Sequence, residues 1–360
     1  MATQFTPNDE RWMREALELA ESASTQADPN PHVGCVIVKN KTIVGSGATQ
    51  VVGQAHAEVV ALTKAGDDTS GATAYVTLEP CAHHGRTPPC VDALIAAKLE
   101  RVVVACTDPN PEVAGKGIAV LKAAGIKTDM GLLQSDAEKI NRGFIKRMQT
   151  CRPFVTAKMG VSVDGRSALG NGDSNWISNP ESRRDAHAYR ARMSAILTTA
   201  KTVLSDNPRL TARDGDDLYP RQPLRIILDP QAVVSPKAKL FEQPGNNLLI
   251  VPEDKLENVQ ATFSGLNSLE VIALNADRGH FELTELMDEL GRREINNLLL
   301  EAGAEFQGAC IEAGIVDEIR VYLAPLLLGR SDFGVLQLPV IDNMQARKKL
   351  HLIDVKRFAD

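Results

Sequence analysis

The chain has 360 residues, 43% hydrophobic and 24% charged, which is enough apolar material for about two domains with cores of their own. Its formal net charge of -6 argues against a dedicated nucleic-acid binder, which needs Lys and Arg clustered against phosphates. No apolar run approaches the ~20 residues of a bilayer crossing, and six cysteines are too few for a disulfide framework, so a soluble cytoplasmic protein without membrane or nucleic-acid partners is expected.

In chain order, Thr6 can cap a first helix that has Pro7 at its first position and Asp9 near its positive end. Trp12, Ala16, Leu19 and Ala20 share its apolar face. The proline-rich run from Asp28 to His32 reads as a loop. Apolar runs from Val33 to Val38 and from Thr42 to Gly45 suggest a hairpin. The pattern then alternates: a helix from His56 to Ala65 ended by Gly66, a strand from Thr73 to Leu78, a helix from Cys90 to Lys98, a strand from Arg101 to Cys106, and a helix from Gly115 to Ala124 ended by Gly125. Such alternation implies a sheet covered on both faces. A basic stretch ending at Pro153 marks a boundary, giving expected domains 1–147 and 152–360. The second block predicts strands at 154–159, 195–199, 224–229, 247–251, 270–273, 295–300 and 318–323, and helices at 283–290 and 304–313.

The densest chemistry lies in His56-Ala57-Glu58, Pro80-Cys81 and Cys90. Zinc prefers sulfur and imidazole donors, and a catalytic site uses three of them, leaving one position for water. His56, Cys81 and Cys90 are three such donors, each expected near a helix start, where the dipole favours a thiolate. Glu58, two residues after the histidine, can stand beside the metal and shuttle a proton. Zinc deaminases carry this order as H-x-E followed by P-C-x-x-C. Here the two cysteines stand farther apart. A fourth ligand from His83 or His84 would instead make a structural zinc site.

The run from Thr77 to Cys90, TLEPCAHHGRTPPC, resembles the bifunctional riboflavin-biosynthesis deaminase/reductase family, where the longer insert is normal. Pro29-Asn30-Pro31-His32-Val33-Gly34 and Thr107-Asp108-Pro109-Asn110-Pro111 resemble it as well. The resemblance implies an α/β protein with an N-terminal cytidine-deaminase-like three-layer α/β/α domain and a C-terminal dihydrofolate-reductase-like α/β domain. It implies hydrolytic deamination of a diaminopyrimidinone ribosylamino phosphate, with Zn2+ on His56, Cys81 and Cys90, Glu58 as catalytic residue, and Asn30, His83 and Arg86 holding the substrate.

For the second block it implies NADPH-dependent reduction of the ribosyl group to ribityl. The segment Gly303-Ala304-Glu305-Phe306-Gln307-Gly308 follows an apolar strand and opens a helix, where free N–H groups suit a phosphate. The family likeness places Gly160, Trp176, Thr202 and Asp206 with it along the cofactor. Ser174, Arg190, Leu210, Arg213 and Glu301 would face the substrate, Arg190 and Arg213 on its phosphate. A homo-oligomer is expected. The competing readings are a zinc deaminase of another nucleobase or of RNA with an accessory domain, and a zinc-stabilised binding module.

Overall fold

The computed structural model describes residues 5–84, 88–110, 113–173 and 177–358. Contacts divide the chain into one unit of Met1–Pro153 with Glu294–Asn296 and a second of Phe154–Arg293 with Asn297–Asp360.

In the first unit the elements run α1 (Pro7–Ser22), β1 (Gly34–Lys39), β2 (Thr42–Ala48), α2 (Ala57–Ala65), β3 (Thr73–Val76), α3 (Cys90–Ala96), β4 (Arg101–Val104), α4 (Lys116–Ala123), β5 (Lys127–Met130), α5 (Gln134–Ile140) and α6 (Arg142–Thr150). Thr6 opens α1 as the sequence predicts: its hydroxyl accepts from Asp9 N at 3.2 Å and the Asp9 carboxylate accepts from Thr6 N at 2.8 Å. The buried stripe is Trp12, Met13, Ala16, Leu17 and Ala20, and the expected Leu19 sits half-buried at its margin. The sheet order is β2-β1-β3-β4-β5, antiparallel across β1 and parallel from β3 to β5.

Two glycines bring the helices down onto this sheet. A Cβ on Gly34 would overlap the Ala16 carbonyl oxygen, so α1 rests directly on β1; a Cβ on Gly47 would meet the Ala57 carbonyl of α2. Successive strand residues face opposite sides. Cys35 therefore faces away from α1, and its thiol feels the charge of Glu58 on α2. Helices thus cover both faces, the three-layer arrangement expected. Arg101 on β4 links α1 to the edge strand β5, donating to Asp9 and to Asp129 at 2.6 Å each, while the Tyr75 hydroxyl donates to Asp9 at 2.7 Å.

The second unit runs β6 (Phe154–Ser162), α7 (Pro180–Ala191), β7 (Ala195–Thr199), α8 (Ala200–Asp206), β8 (Arg213–Asp214), β9 (Asp217–Leu218), β10 (Leu224–Leu228), β11 (Asn247–Val251), α9 (Leu256–Thr262), β12 (Leu269–Ala273), β13 (Ala276–Asp277), β14 (His280–Phe281), α10 (Leu283–Arg292), β15 (Asn297–Leu300), α11 (Ala304–Glu312) and β16 (Glu318–Ala324). Seven strands form one sheet in the order β12-β11-β10-β7-β15-β6-β16, parallel throughout. Residues 196–198, 226–228, 248–251 and 298–300 are buried without alternation, as strands covered on both faces require. Among the described residues no helix is long and apolar enough to cross a membrane.

Candidate active sites

His56 is the N-cap of α2 and Cys90 is the first residue of α3. Cys81 departs from expectation: it lies in the irregular stretch after β3 and does not begin a helix. The chain folds back so that Cys90 N donates to the Cys81 sulfur at 3.3 Å. The sulfur therefore reaches the positive end of α3 through space. His56 Nδ1 lies 3.6 Å from Cys81 Sγ and 3.3 Å from Cys90 Sγ, and the three donor atoms are all within 4.8 Å of one another. Tetrahedral zinc with its usual bond lengths sets such donors roughly 3.5–3.8 Å apart, so the set fits the metal in chemistry and in spacing. Among the described residues no other three His, Cys, Asp or Glu side chains gather in this way. His83 and His84 are exposed and stand outside the group, so among the described residues three donors could hold a metal ion.

The electrostatics favour a thiolate. Hydrogen bonding from Cys90, then from His56, holds the Cys81 thiol down at about 4 against its burial, and Cys90 carries the proton of the pair. Bonding to Cys81 pushes His56 up. Glu58, in the first turn of α2 and only 4% exposed, is raised by burial to about 7, and Cys90 is within hydrogen-bonding reach of it. A carboxyl group poised near neutrality can both accept and return a proton.

Asn30 is half-buried in the turn before β1, its N–H donating to Ala27 O at 2.9 Å. Asn141 holds that loop by accepting from His32 N at 2.7 Å and donating to His32 O at 2.8 Å, a clamp across 109 residues that no local pattern signals. Burial raises Asp108 to about 6, with Glu79, His83 and Cys81 among the charges that act on it, so the Asp108 turn lies near the Cys81 segment. Arg86 lies outside the described residues, as do Ser174 and Trp176 of the second unit.

In the second unit Glu301 follows β15 and is gripped by a fork: Arg190 Nε donates to it at 2.5 Å and Nη2 at 2.8 Å, with Lys158 Nζ at 3.4 Å. Burial would raise the Glu301 carboxyl, but Arg190 and Lys158 hold it well below the usual carboxylate range. Arg190 Nη1 donates to Thr211 O at 3.0 Å, and His187 Nδ1 lies 3.0 Å from the same oxygen. Most of the Arg190 fork is therefore engaged within the protein, where a phosphate clamp was expected. Burial lowers His187 to about 4, helped by Arg190 and by Arg213 on β8. Leu210, expected to face substrate, is buried, with its side chain in a cluster with Met193, Ile196 and Leu299.

The expected phosphate loop divides. Gly303 caps α11, and open space lies where its Cβ would stand; the same is true at Gly160 on β6, so neither position is filled by neighbouring protein atoms. Ala304 and Phe306 are half-buried and Glu305 is exposed, with Lys201 Nζ at 3.0 Å. Gln307 and Gly308 are turned into packing. The Gln307 amide donates to Ala302 O at 2.6 Å and to Lys158 O at 3.3 Å, and Gly308 abuts the Gln337 carbonyl. Thr202 lies in the first turn of α8, its N–H donating to the hydroxyl of the N-cap Thr199 at 3.4 Å, and Asp206 ends α8, exposed. Lys158, His187 and Asn141 were not singled out as site residues from sequence; Lys158 lies on the predicted strand at 154–159, and the other two carry no local signal.

Comparison with known proteins bears on both units. Residues 6–106 match the cytidine and deoxycytidylate deaminase zinc-binding region, and residues 153–359 match the RibD C-terminal domain. The riboflavin biosynthesis protein RibD of Escherichia coli is 46% identical over 93% of this chain and 93% of its own length. That of Haemophilus influenzae is 43% identical, covering 99% and 96%. Among solved structures, Acinetobacter baumannii RibD superposes with a TM-score of 0.86 at 39% identity, covering 96% of this chain and 95% of that one. A diaminohydroxyphosphoribosylaminopyrimidine deaminase/5-amino-6-(5-phosphoribosylamino)uracil reductase from Thermotoga maritima gives 0.85 at 32% identity, covering 98% and 96%.

Proposed function

The chain belongs to the RibD family of riboflavin-biosynthesis enzymes, and on that footing we propose that its first unit is a zinc-dependent pyrimidine deaminase and its second an NADPH-dependent reductase. The observation that carries the first half is the convergence of His56, Cys81 and Cys90 beside a buried Glu58. Zinc held by these three donors supplies the Lewis acidity that makes water nucleophilic at neutral pH. Glu58 takes one proton from the attacking water and gives it to the ring nitrogen, then takes the second from the hydroxyl now on the ring carbon and gives it to the departing amino group. The water oxygen stays on the ring carbon and ammonia leaves. Asn30, His83 and Arg86 hold the diaminopyrimidinone ribosylamino phosphate.

In the second unit Gly160, Trp176, Thr202, Asp206 and the turn from Gly303 to Phe306 form the cofactor side. NADPH bound there would supply the hydride for C1′, and a proton taken up from solvent would go to the ring oxygen as the ribosyl ring opens to ribityl. Ser174, Arg213 and Glu301 face the substrate, with Arg190 fixing Glu301 and the Thr211 backbone. All six cysteines are free, which suits a reducing cytoplasm. Val321 and Leu323, exposed on the edge strand β16, fit a homo-oligomer, which sedimentation would test.

Turnover by the zinc-loaded protein tests the whole reading. Given the diaminopyrimidinone ribosylamino phosphate, it should release ammonia and then, on addition of NADPH, consume the cofactor. Ammonia without NADPH loss would remove the reductase assignment, and no ammonia would remove the deaminase.

A further inference from the structure

Glu79 stands two residues before the ligand Cys81 and is 3% exposed. Its partners are three backbone N–H groups of a distant segment: Oε2 accepts from Asp108 N at 3.3 Å and from Gly115 N at 2.9 Å, and Oε1 accepts from Ile118 N at 3.3 Å. Gly115 and Ile118 belong to the start of α4, whose N-cap is Gly115 at φ 77 and which has no side-chain cap of its own. A helix start leaves N–H groups without intrahelical partners and carries partial positive charge. Glu79 answers both from another element.

Two further contacts join the same parts. Glu79 N donates to Cys106 O at 2.9 Å, and the first turn of α4 lies so close on Pro80 that a Cβ at Gly117 would overlap the Pro80 carbonyl. One short run, Glu79-Pro80-Cys81, thus provides a metal ligand and also the dock for the Asp108 turn and α4. Asp108, 8% exposed, accepts from Asn110 N at 2.8 Å, and its carboxyl feels the charges of Cys81 and His83.

We propose that Glu79 is a positioning residue of the deaminase, holding the Asp108 turn and the start of α4 in register with Cys81 so that they form one wall of the pyrimidine site. The inference rests on the deaminase reading. Its signature is a change in substrate binding without loss of metal, because the Glu79 carboxylate is engaged by the Asp108, Gly115 and Ile118 amides.

The test uses the full-length zinc-loaded protein carrying Glu79→Gln. This change keeps the shape but presents an NH2 group in place of one of the two accepting oxygens. The expected result has three parts: hydrogen exchange at the Gly115 and Ile118 amides speeds up about tenfold or more, KM for the pyrimidine in ammonia release rises roughly tenfold, and kcat stays within about threefold with one zinc per chain. Gly117→Ala, which strains the same dock with Glu79 intact, should give the same split. Faster exchange with unchanged KM would reduce Glu79 to a helix cap and overturn the proposal. Loss of zinc or a fall in kcat alone would overturn it too, since the effect would then pass through the metal. A wild-type protein that releases no ammonia would overturn the deaminase reading and this inference together; normal release with an unchanged KM in both variants overturns this inference alone.

Discussion

Two buried carboxylates do opposite work. Burial raises Glu58 to about 7 beside the His56, Cys81 and Cys90 donors, whereas Arg190 and Lys158 keep Glu301 charged despite its burial. Glu58→Gln preserves volume and removes the proton carrier. Ammonia release should fall by about 10²-fold or more while zinc content and reduction of supplied deaminated intermediate persist. A variant that still released ammonia at the wild-type rate would dismiss Glu58 as the shuttle. Glu301→Gln leaves the Arg190 guanidinium buried without its counter-charge. Breaking one half of such a pair costs about 3 kcal/mol, so the unfolding midpoint of the reductase unit should drop by roughly 6–12 °C and NADPH consumption should fall, with ammonia release unchanged. Calorimetry on the two proteins side by side decides it.

At the scale of elements, α1 is fastened to the sheet through Asp9. Burial alone would raise this carboxyl, but bonds from Thr6, Tyr75 and Arg101 outweigh it and hold the pKa at about 2. A folded value below the unfolded one contributes stability that is present above the unfolded pKa of about 3.9 and lost as pH falls toward 2. The contribution is about 2 kcal/mol. Urea midpoints of wild type and Asp9→Asn should therefore differ at pH 6 and converge between pH 4 and 2; a constant gap would show that the Asp9 charge is not what holds α1. The cap itself was legible from Thr6, Pro7 and Asp9, because those groups lie within one turn. Its ties to Tyr75 and Arg101 were not, since only the folded sheet brings them near. Similarly, α7 carries the sequence PESRRDAHAYRA and buries only Ala191, so no apolar period announces it. It is started by Pro180 and by the Asn179 side chain, which accepts from Ser182 N at 2.7 Å. Strands β7, β10, β11 and β15 were legible from their short apolar stretches, 195–197, 226–228, 248–251 and 298–300, and His56, Cys81 and Cys90 as soft donors in a recognisable order. Gln307 and Gly308 looked like phosphate-loop residues because the strand–glycine–helix pattern does not say which of its residues turn inward.

For the whole molecule, the division of labour follows from where the groups lie in the chain. His56, Glu58, Cys81 and Cys90 all fall in the unit of Met1–Pro153, on a five-stranded sheet. Lys158, Arg190, Thr211, Glu301 and Gly303 all fall in the other unit, on a separate seven-stranded one. Among the described residues, the hydrogen bonds named above for each site join residues of one unit. Removing zinc with a chelator should then abolish ammonia release and lower the thermal stability of the first unit, because a ligand that binds only the folded state stabilises it by mass action. NADPH consumption with supplied deaminated intermediate should stay within about twofold, since the donors that zinc occupies take no part in fixing Glu301 or the Gly303 turn. Restoring zinc should bring ammonia release back without altering the reductase rate. If chelation instead stopped both reactions, the second unit would depend on the metal-bound fold of the first, and the two sheets would be energetically one protein in spite of their separate cores.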